Sequence, residues 1–260
     1  MTYSTLLETR DVRGIVTLTL NRPDVHNAMD AVMIDELTAA ATALGAGSLV
    51  RAVILTGQGA SFCAGGDLGW MQVQIAANRT QRMAAAQRLA DMLNALNTMP
   101  KPLIAAVNGA AFGGGVGLVS VCDVAFAADH AKFGLTETRL GLTPATISPY
   151  VLARMGEGKA RRVFMSSRRF DAAEAQALDL VARVVPAEAL MQTAMAEAEA
   201  YLACAPGAVA SAKALARSLG APITPAVIAA TIEQLANTWE QAEAAEGIAA
   251  FFAKRKPNWA

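Results

Sequence analysis

Val107-Asn108-Gly109-Ala110-Ala111-Phe112-Gly113-Gly114-Gly115-Val116-Gly117-Leu118-Val119-Ser120-Val121-Cys122-Asp123 is the stretch on which the reading of this chain turns. The apolar run Pro102 to Val107 leads into it and reads as a buried strand, and Val116 to Val121 reads as the start of a buried helix. Glycine is disfavoured inside either element, so Gly113, Gly114 and Gly115 imply a sharp turn, or something that must approach the backbone closely. A helix begun there points unpaired N–H groups and the positive end of its dipole at whatever lies above the turn. That suits an oxygen that becomes negative during a reaction. For a lone triple glycine, a tight turn with close helix packing is the commoner explanation. A second glycine junction, Ser61-Phe62-Cys63-Ala64-Gly65-Gly66-Asp67-Leu68, shifts the balance toward chemistry.

Outward from these junctions, Ile15 to Leu20 alternates like a strand and ends in the turn Asn21-Arg22-Pro23. Asn27 reads as the N-cap of a helix with Met33, Leu37, Ala41 and Leu44 on its apolar face, stopped by Gly45 and Gly47. Ala52 to Leu55 reads as a short buried strand, and Arg79 to Leu96 as a helix. Short strands at Val124 to Ala127 and Lys132 to Gly134 precede Leu135-Thr136-Glu137 and the Pro- and Thr-rich loop Pro144 to Tyr150. Helices dominate thereafter, over Val151 to Met155, Lys159 to Phe164, Ala172 to Leu178, Ala187 to Leu202, Ala208 to Leu219 and from Pro225 onward, interrupted by a strand at Arg183 to Val185. The pattern predicts an α/β core over residues 1–200 and a helical C-terminal region over 201–260. Ser-Phe-Cys-Ala-Gly-Gly and Ala-Phe-Gly-Gly-Gly form a faint internal echo, too short by itself to count as a repeat.

With 54% hydrophobic and 17% charged residues, the 260-residue chain can bury a generous core, yet polar residues break every apolar run before membrane-spanning length. The first residues lack the features of a signal peptide, so a cytoplasmic protein is expected. Cys63, Cys122 and Cys204 follow no metal-ligand spacing, and two histidines, His26 and His130, exclude a centre built on several imidazoles. The 22 basic and 22 acidic residues cancel, so no global field favours nucleic acid or an anionic membrane. Two glycine junctions donating one N–H each to a thioester oxygen would stabilise an enolate, with a carboxylate to move the proton.

At these residues the chain resembles the crotonase, or enoyl-CoA hydratase/isomerase, superfamily. The resemblance spans nearly the whole chain. It rests on Leu20-Asn21-Arg22-Pro23 with Asn27-Ala28, on the Ser61 to Leu68 motif, on Val107-Asn108-Gly109 with the glycine triple and Cys122-Asp123, on Phe133-Gly134-Leu135-Thr136-Glu137, and on Lys254-Arg255-Lys256-Pro257-Asn258. It implies a spiral of strand-strand-helix units, a helical C-terminal region that assembles trimers or hexamers, and an acyl-CoA thioester substrate. No cofactor is implied beyond the coenzyme A of the substrate, and no metal. The oxyanion donors would be Gly66 and Gly114, and the catalytic carboxylate Glu137. His26, Ala28, Ala64, Asp67, Leu68, Trp70, Gly113, Phe251 and Lys254 are the expected substrate contacts.

Hydratases of the family usually carry two glutamates around one water, and the first would fall where this chain has Gly117. Three readings compete. Glu137 alone serves a hydratase, as in the bacterial branch acting on methylglutaconyl-type esters, which the Gly141 to Val151 loop resembles; or it shuttles a proton between two carbons in an isomerase; or the fold binds CoA esters without catalysis.

Individual residues keep two readings each. His26 is a pantetheine or phosphate neighbour, or a surface turn residue; Asp67 is more a cap or loop brace than a catalyst. Asp123 reads as a buried structural acid and His130 as solvent-facing. Arg139 would pair with a substrate carboxylate or sit at the surface or a trimer contact. Trp70 and Met71 line an acyl pocket or pack the core. Phe251 and Lys254 touch the CoA of their own or a neighbouring subunit, or close a helix whose dipole favours cations.

Overall fold

The computed structural model describes residues 2–260. An antiparallel pair, β1 (Leu6–Arg10) and β2 (Ile15–Leu20), leads through a short turn to helix α1 (Ala31–Ala46). The chain then runs three times through the same course. In each pass it lays one strand in a large sheet and the next in a small one: β3 (Ala52–Gly57) then β4 (Ser61–Cys63), β5 (Leu103–Val107) then β6 (Ala110–Phe112), β7 (Val124–Ala128) then β8 (Lys132–Gly134). Helices α2 (Leu68–Ala76) and α3 (Arg79–Thr98) close the first pass, α4 (Gly114–Ser120) the second, and a 3-10 turn, Glu137–Leu140, the third. Beyond it lie α5 (Ser148–Met155), α6 (Glu157–Phe164), β9 (Phe170–Asp171), α7 (Ala172–Ala177), β10 (Arg183–Val185) and α8 (Leu190–Ala200). The chain ends in α9 (Pro206–Leu219), α10 (Pro225–Trp239) and α11 (Ala242–Phe252). The strand orders β1-β2-β3-β5-β7-β10 and β4-β6-β8-β9 are those of a spiral. The echo between the two glycine motifs is structural, since β4 and β6 are parallel neighbours.

Burial on both faces explains why the central strands are unbroken apolar runs. Along β5, Leu103, Ala105 and Val107 join the main core with Met33, Leu37 and Leu93, while Ile104 and Ala106 face Leu190, Ala194 and Ala198 of α8. Among the described residues no helix is long and apolar enough to cross a membrane.

Several expectations are corrected. The N-cap of α1 is Asp30, whose Oδ1 accepts from the Met33 N–H at 2.8 Å. Asn27 is instead a fully buried latch. Its Nδ2 donates to the Gln58 and Ser61 carbonyls at 2.9 and 2.8 Å, and its Oδ1 accepts from the Arg22 N–H at 2.8 Å. Asp123 is exposed, although its Oδ2 caps the entry of β5 by accepting from Leu103 N–H and pairs with Lys213, both at 2.8 Å. The helical pattern after Pro225 is two helices, α10 and α11.

Packing at the glycine triple gives a stability prediction. A Cβ on Gly115 would lie 2.3 Å from the Cys63 carbonyl oxygen, whereas Gly207, early in α9, has nothing within 4 Å. Gly115→Ala is expected to lower unfolding free energy by about 1–3 kcal/mol, and Gly207→Ala to raise it by roughly 0.5 kcal/mol. Urea denaturation of both variants checks this; an unharmed Gly115→Ala would contradict the close approach.

Candidate active site

Strands β4, β6 and β8 are short, adjacent and parallel, so their C-terminal ends meet at one edge of the small sheet. The residues just beyond each strand are therefore delivered to one place: Gly65 and Gly66 after β4, Gly113 and Gly114 after β6, Glu137 after β8.

Gly66 forms a parallel bridge with Met29, in which the Met29 N–H donates to the Gly65 carbonyl at 2.7 Å and the Asp67 N–H to the Met29 carbonyl at 2.9 Å. In that pattern the N–H of Gly66 itself points away from Met29. Gly114 opens α4, whose hydrogen bonding begins with Gly117 N–H to Gly113 carbonyl at 3.2 Å, so the Gly114 amide has no partner inside the helix. A Cβ built on Gly65 would lie 3.8 Å from the Gly114 nitrogen, which puts the two donors on adjoining backbones. Gly113 joins them with φ at +49°, a conformation that favours glycine.

A Cβ on Gly113 would lie 2.9 Å from Oε1 of Glu137, so only glycine leaves room for the carboxyl. The other oxygen, Oε2, is buried with no hydrogen-bond partner. Burial pushes the Glu137 pKa up to about 7, while the main-chain N–H groups of Glu137 and Thr136 pull it back only in part. Gly66, Gly113, Gly114 and Glu137 share the wall of one cavity of about 380 Å³. Most of the rest is apolar: Met29, Leu68, Trp70, Met71, Leu142 and Ile147, with Leu235 and Trp239 of α10 and Phe251 of α11.

The structure explains Gly117. A Cβ there would lie 2.6 Å from Cγ2 of Ile147 and 3.7 Å from Leu93, so the space a longer side chain needs is filled. Among the described residues Glu137 is the one carboxylate on this wall, and Ile147 shares it.

Of the other expected contacts, Ala64, Leu68, Trp70 and Phe251 lie on the cavity wall, Phe251 on that of its own chain. His26, Ala28, Asp67 and Lys254 do not. Arg22 accounts for two of these: its guanidinium donates to the Ala28 carbonyl at 2.5 Å and pairs with Asp67 at 3.1 Å, stapling the Pro23–Met29 segment to the glycine motif. Asp67 also caps α2, its Oδ1 accepting from Trp70 N–H at 3.0 Å. His26 is exposed, its Nδ1 3.1 Å from Ser61 Oγ and its carbonyl receiving the Ala64 N–H. Lys254 comes after the last helix in a left-handed turn, φ +51°. His130 faces solvent beside Asp129. Burial raises the thiols of Cys63 and Cys122 to about 12, so neither is a nucleophile at neutral pH. Sequence reasoning passed over Arg169, Thr143, Thr146 and Ile147 on the wall.

The family model for enoyl-CoA hydratase/isomerase matches residues 10–260. The chain belongs to that family. It is 37% identical to the probable enoyl-CoA hydratase of Mycobacterium bovis over all of this chain and 99% of the relative. Among solved structures it is similar to an enoyl-CoA hydratase from Shewanella pealeana, with 37% identity, a TM-score of 0.81 and coverage of 98% of this chain and 96% of that one. Pseudomonas aeruginosa AtuE is 40% identical, with a TM-score of 0.80 and coverage of 98% and 99%.

Glu137 and its glycine neighbour each yield a measurable consequence. The folded pKa of Glu137 lies above the ordinary carboxylate value of 4.5, so the folded state binds the proton more tightly, and stability falls as pH rises from 4.5 through about 7. Glu137→Gln escapes that penalty: its stability relative to the parent protein should climb over this window by up to about 3 kcal/mol and then level off. Denaturation at a series of pH values reads this directly, and a flat difference would contradict the desolvated carboxyl. Gly113→Ala should keep the fold but lose on the order of 100-fold in turnover, because its Cβ displaces Oε1; steady-state kinetics on a folded variant is the check.

Proposed function

We propose that this protein adds water across the double bond of a 2-enoyl-CoA thioester, with Glu137 as the single acid/base group. The observation that carries the reading is a buried carboxylate with one unpaired oxygen and a pKa of about 7, sharing a cavity with two unpartnered main-chain amides. The thioester oxygen accepts from the Gly66 and Gly114 N–H groups, which draws electron density from the β-carbon. Glu137 Oε2 takes a proton from water as its oxygen bonds to that carbon, and the same carboxyl returns the proton to the α-carbon. Water and enoyl ester thus combine with nothing left over.

For the acyl group we favour a branched glutaconyl-type ester. Arg139 and Arg169 line the cavity with no carboxylate partner among the described residues, Arg169 stacking on Phe112 at 5.0 Å. A free guanidinium beside an apolar wall suits an acyl chain ending in a carboxylate. Self-association as a homotrimer or hexamer is supported by α9, which buries no residue and exposes Leu215 and Leu219.

One observation favours the alternative, double-bond migration: Ile147 stands where a second carboxylate would help hold water, and one base suffices to carry a proton between two carbons. Incubation with crotonyl-CoA, 3-methylglutaconyl-CoA and a 3-enoyl-CoA, monitored by mass and chromatography, separates the two. Addition of one water to either of the first two esters supports hydration; isomerisation at constant mass, with no water gained, overturns it. Because the base must be ionised, kcat/KM should rise with pH and level off above about 7. Arg139→Gln should raise KM for 3-methylglutaconyl-CoA by about 10-fold and leave that for crotonyl-CoA in place.

A further inference from the structure

Among the described residues, four buried side-chain oxygens lack a hydrogen-bond partner: Glu137 Oε2, Thr143 Oγ1, Thr146 Oγ1 and Tyr150 OH. Glu137, Thr143 and Thr146 line the same cavity. An unpaired hydroxyl in an apolar surround is unfavourable, and buried polar groups in folded proteins are almost always satisfied. Unpaired polar atoms on three residues that line one cavity therefore point to a small polar partner at that wall.

The placement of the two threonines makes the inference specific. Glu137 and Thr143 are held at the two ends of one turn, closed by Leu142 N–H donating to the Glu137 carbonyl at 3.1 Å. Thr146, 5% exposed, precedes Ile147, the residue that fills the space beside Gly117. The loop that removes room for a second carboxylate thus carries two threonines with unpaired hydroxyls on the same wall. A threonine hydroxyl both donates and accepts, so it can hold a water while leaving a lone pair free to attack.

We propose that the hydroxyls of Thr143 and Thr146 position the attacking water against Glu137, replacing the carboxylate that Gly117 cannot supply. This rests on the hydratase reading above. The threonines act as positioning residues: they take no proton, and Glu137 alone moves one. They are also why an isoleucine on the same wall as the base is compatible with hydration.

The test is the double variant Thr143→Val/Thr146→Val in the 260-residue chain, since valine keeps the threonine shape and removes only the hydroxyls. Two reactions are monitored. Hydration is measured with whichever of crotonyl-CoA and 3-methylglutaconyl-CoA the parent protein turns over faster. Exchange of the α-protons of butyryl-CoA into deuterated water needs Glu137 and the two amides but no attacking water. The expected result is a fall in hydration kcat of about 30-fold, as for a lost hydrogen bond to a reacting group, with KM and the exchange rate unchanged. Thr143→Ser/Thr146→Ser should restore most of the hydration, and the thermal midpoint of the valine variant should not drop.

Unchanged hydration would overturn the proposal. So would a parallel fall in exchange, which would mean the hydroxyls shape the whole site, or a rise in KM alone, which would assign them to the acyl group. A lower thermal midpoint with no recovery by serine would assign them to the fold. Should the parent protein move a double bond but hydrate neither ester, the hydratase reading itself fails, and that result is visible before any threonine is changed.

Discussion

The side-by-side parallel pairing of β4, β6 and β8 is the constraint on which the rest of this molecule depends. Each strand spans only three residues, too few to be stable alone, and each is held by its neighbours in the small sheet. Because the chain repeats the same course, the three strand ends fall next to one another. Residues far apart in the chain then line the same cavity.

The electrostatics of the cavity arise from that convergence. A carboxyl at the end of β8 is pressed against Gly113 and walled by side chains from α2, α10 and the loop after the 3-10 turn. Water is displaced, the charged form is disfavoured, and the proton affinity of Glu137 climbs to where a base is useful near neutrality. The Gly66 and Gly114 amides need no such tuning. They are main-chain amides left over when a bridge and a short helix have satisfied their neighbours, and a largely apolar wall strengthens what they offer.

How far the residues alone revealed this depends on how local each feature is. The glycine junctions were legible because glycine clusters in apolar surroundings have a local steric meaning. The long strands and α3 were legible from apolar runs and periodicity. Glu137 acquired its role from the resemblance to a family. Strands β4, β6 and β9 are too short for alternation to register. Helix α2 was missed as a helix because it exposes Leu68, Val73 and Ile75 and carries Gly69, so no apolar stripe marks a buried face. Asn27 and Asp30 both fit an N-cap by type, and only the bridge from Met29 to Gly66 makes Asp30 the cap. The unpartnered hydroxyls of Thr143 and Thr146 had no signature at all, since lacking a partner is a property of the packed interior.

The final helix touches the third turn of the spiral through bare backbone. A Cβ on Gly247 of α11 would lie 2.6 Å from the main-chain carbon of Leu140, and one on Gly141 would lie 2.4 Å from that of Glu243. With no side chain between them to act as a cushion, any tilt of α11 is passed undamped to the 3-10 turn that begins at Glu137. The tail of the protein is thus a tuning peg for its own carboxylate: a bulky fusion at the C-terminus would displace Glu137 before it loosened the sheets.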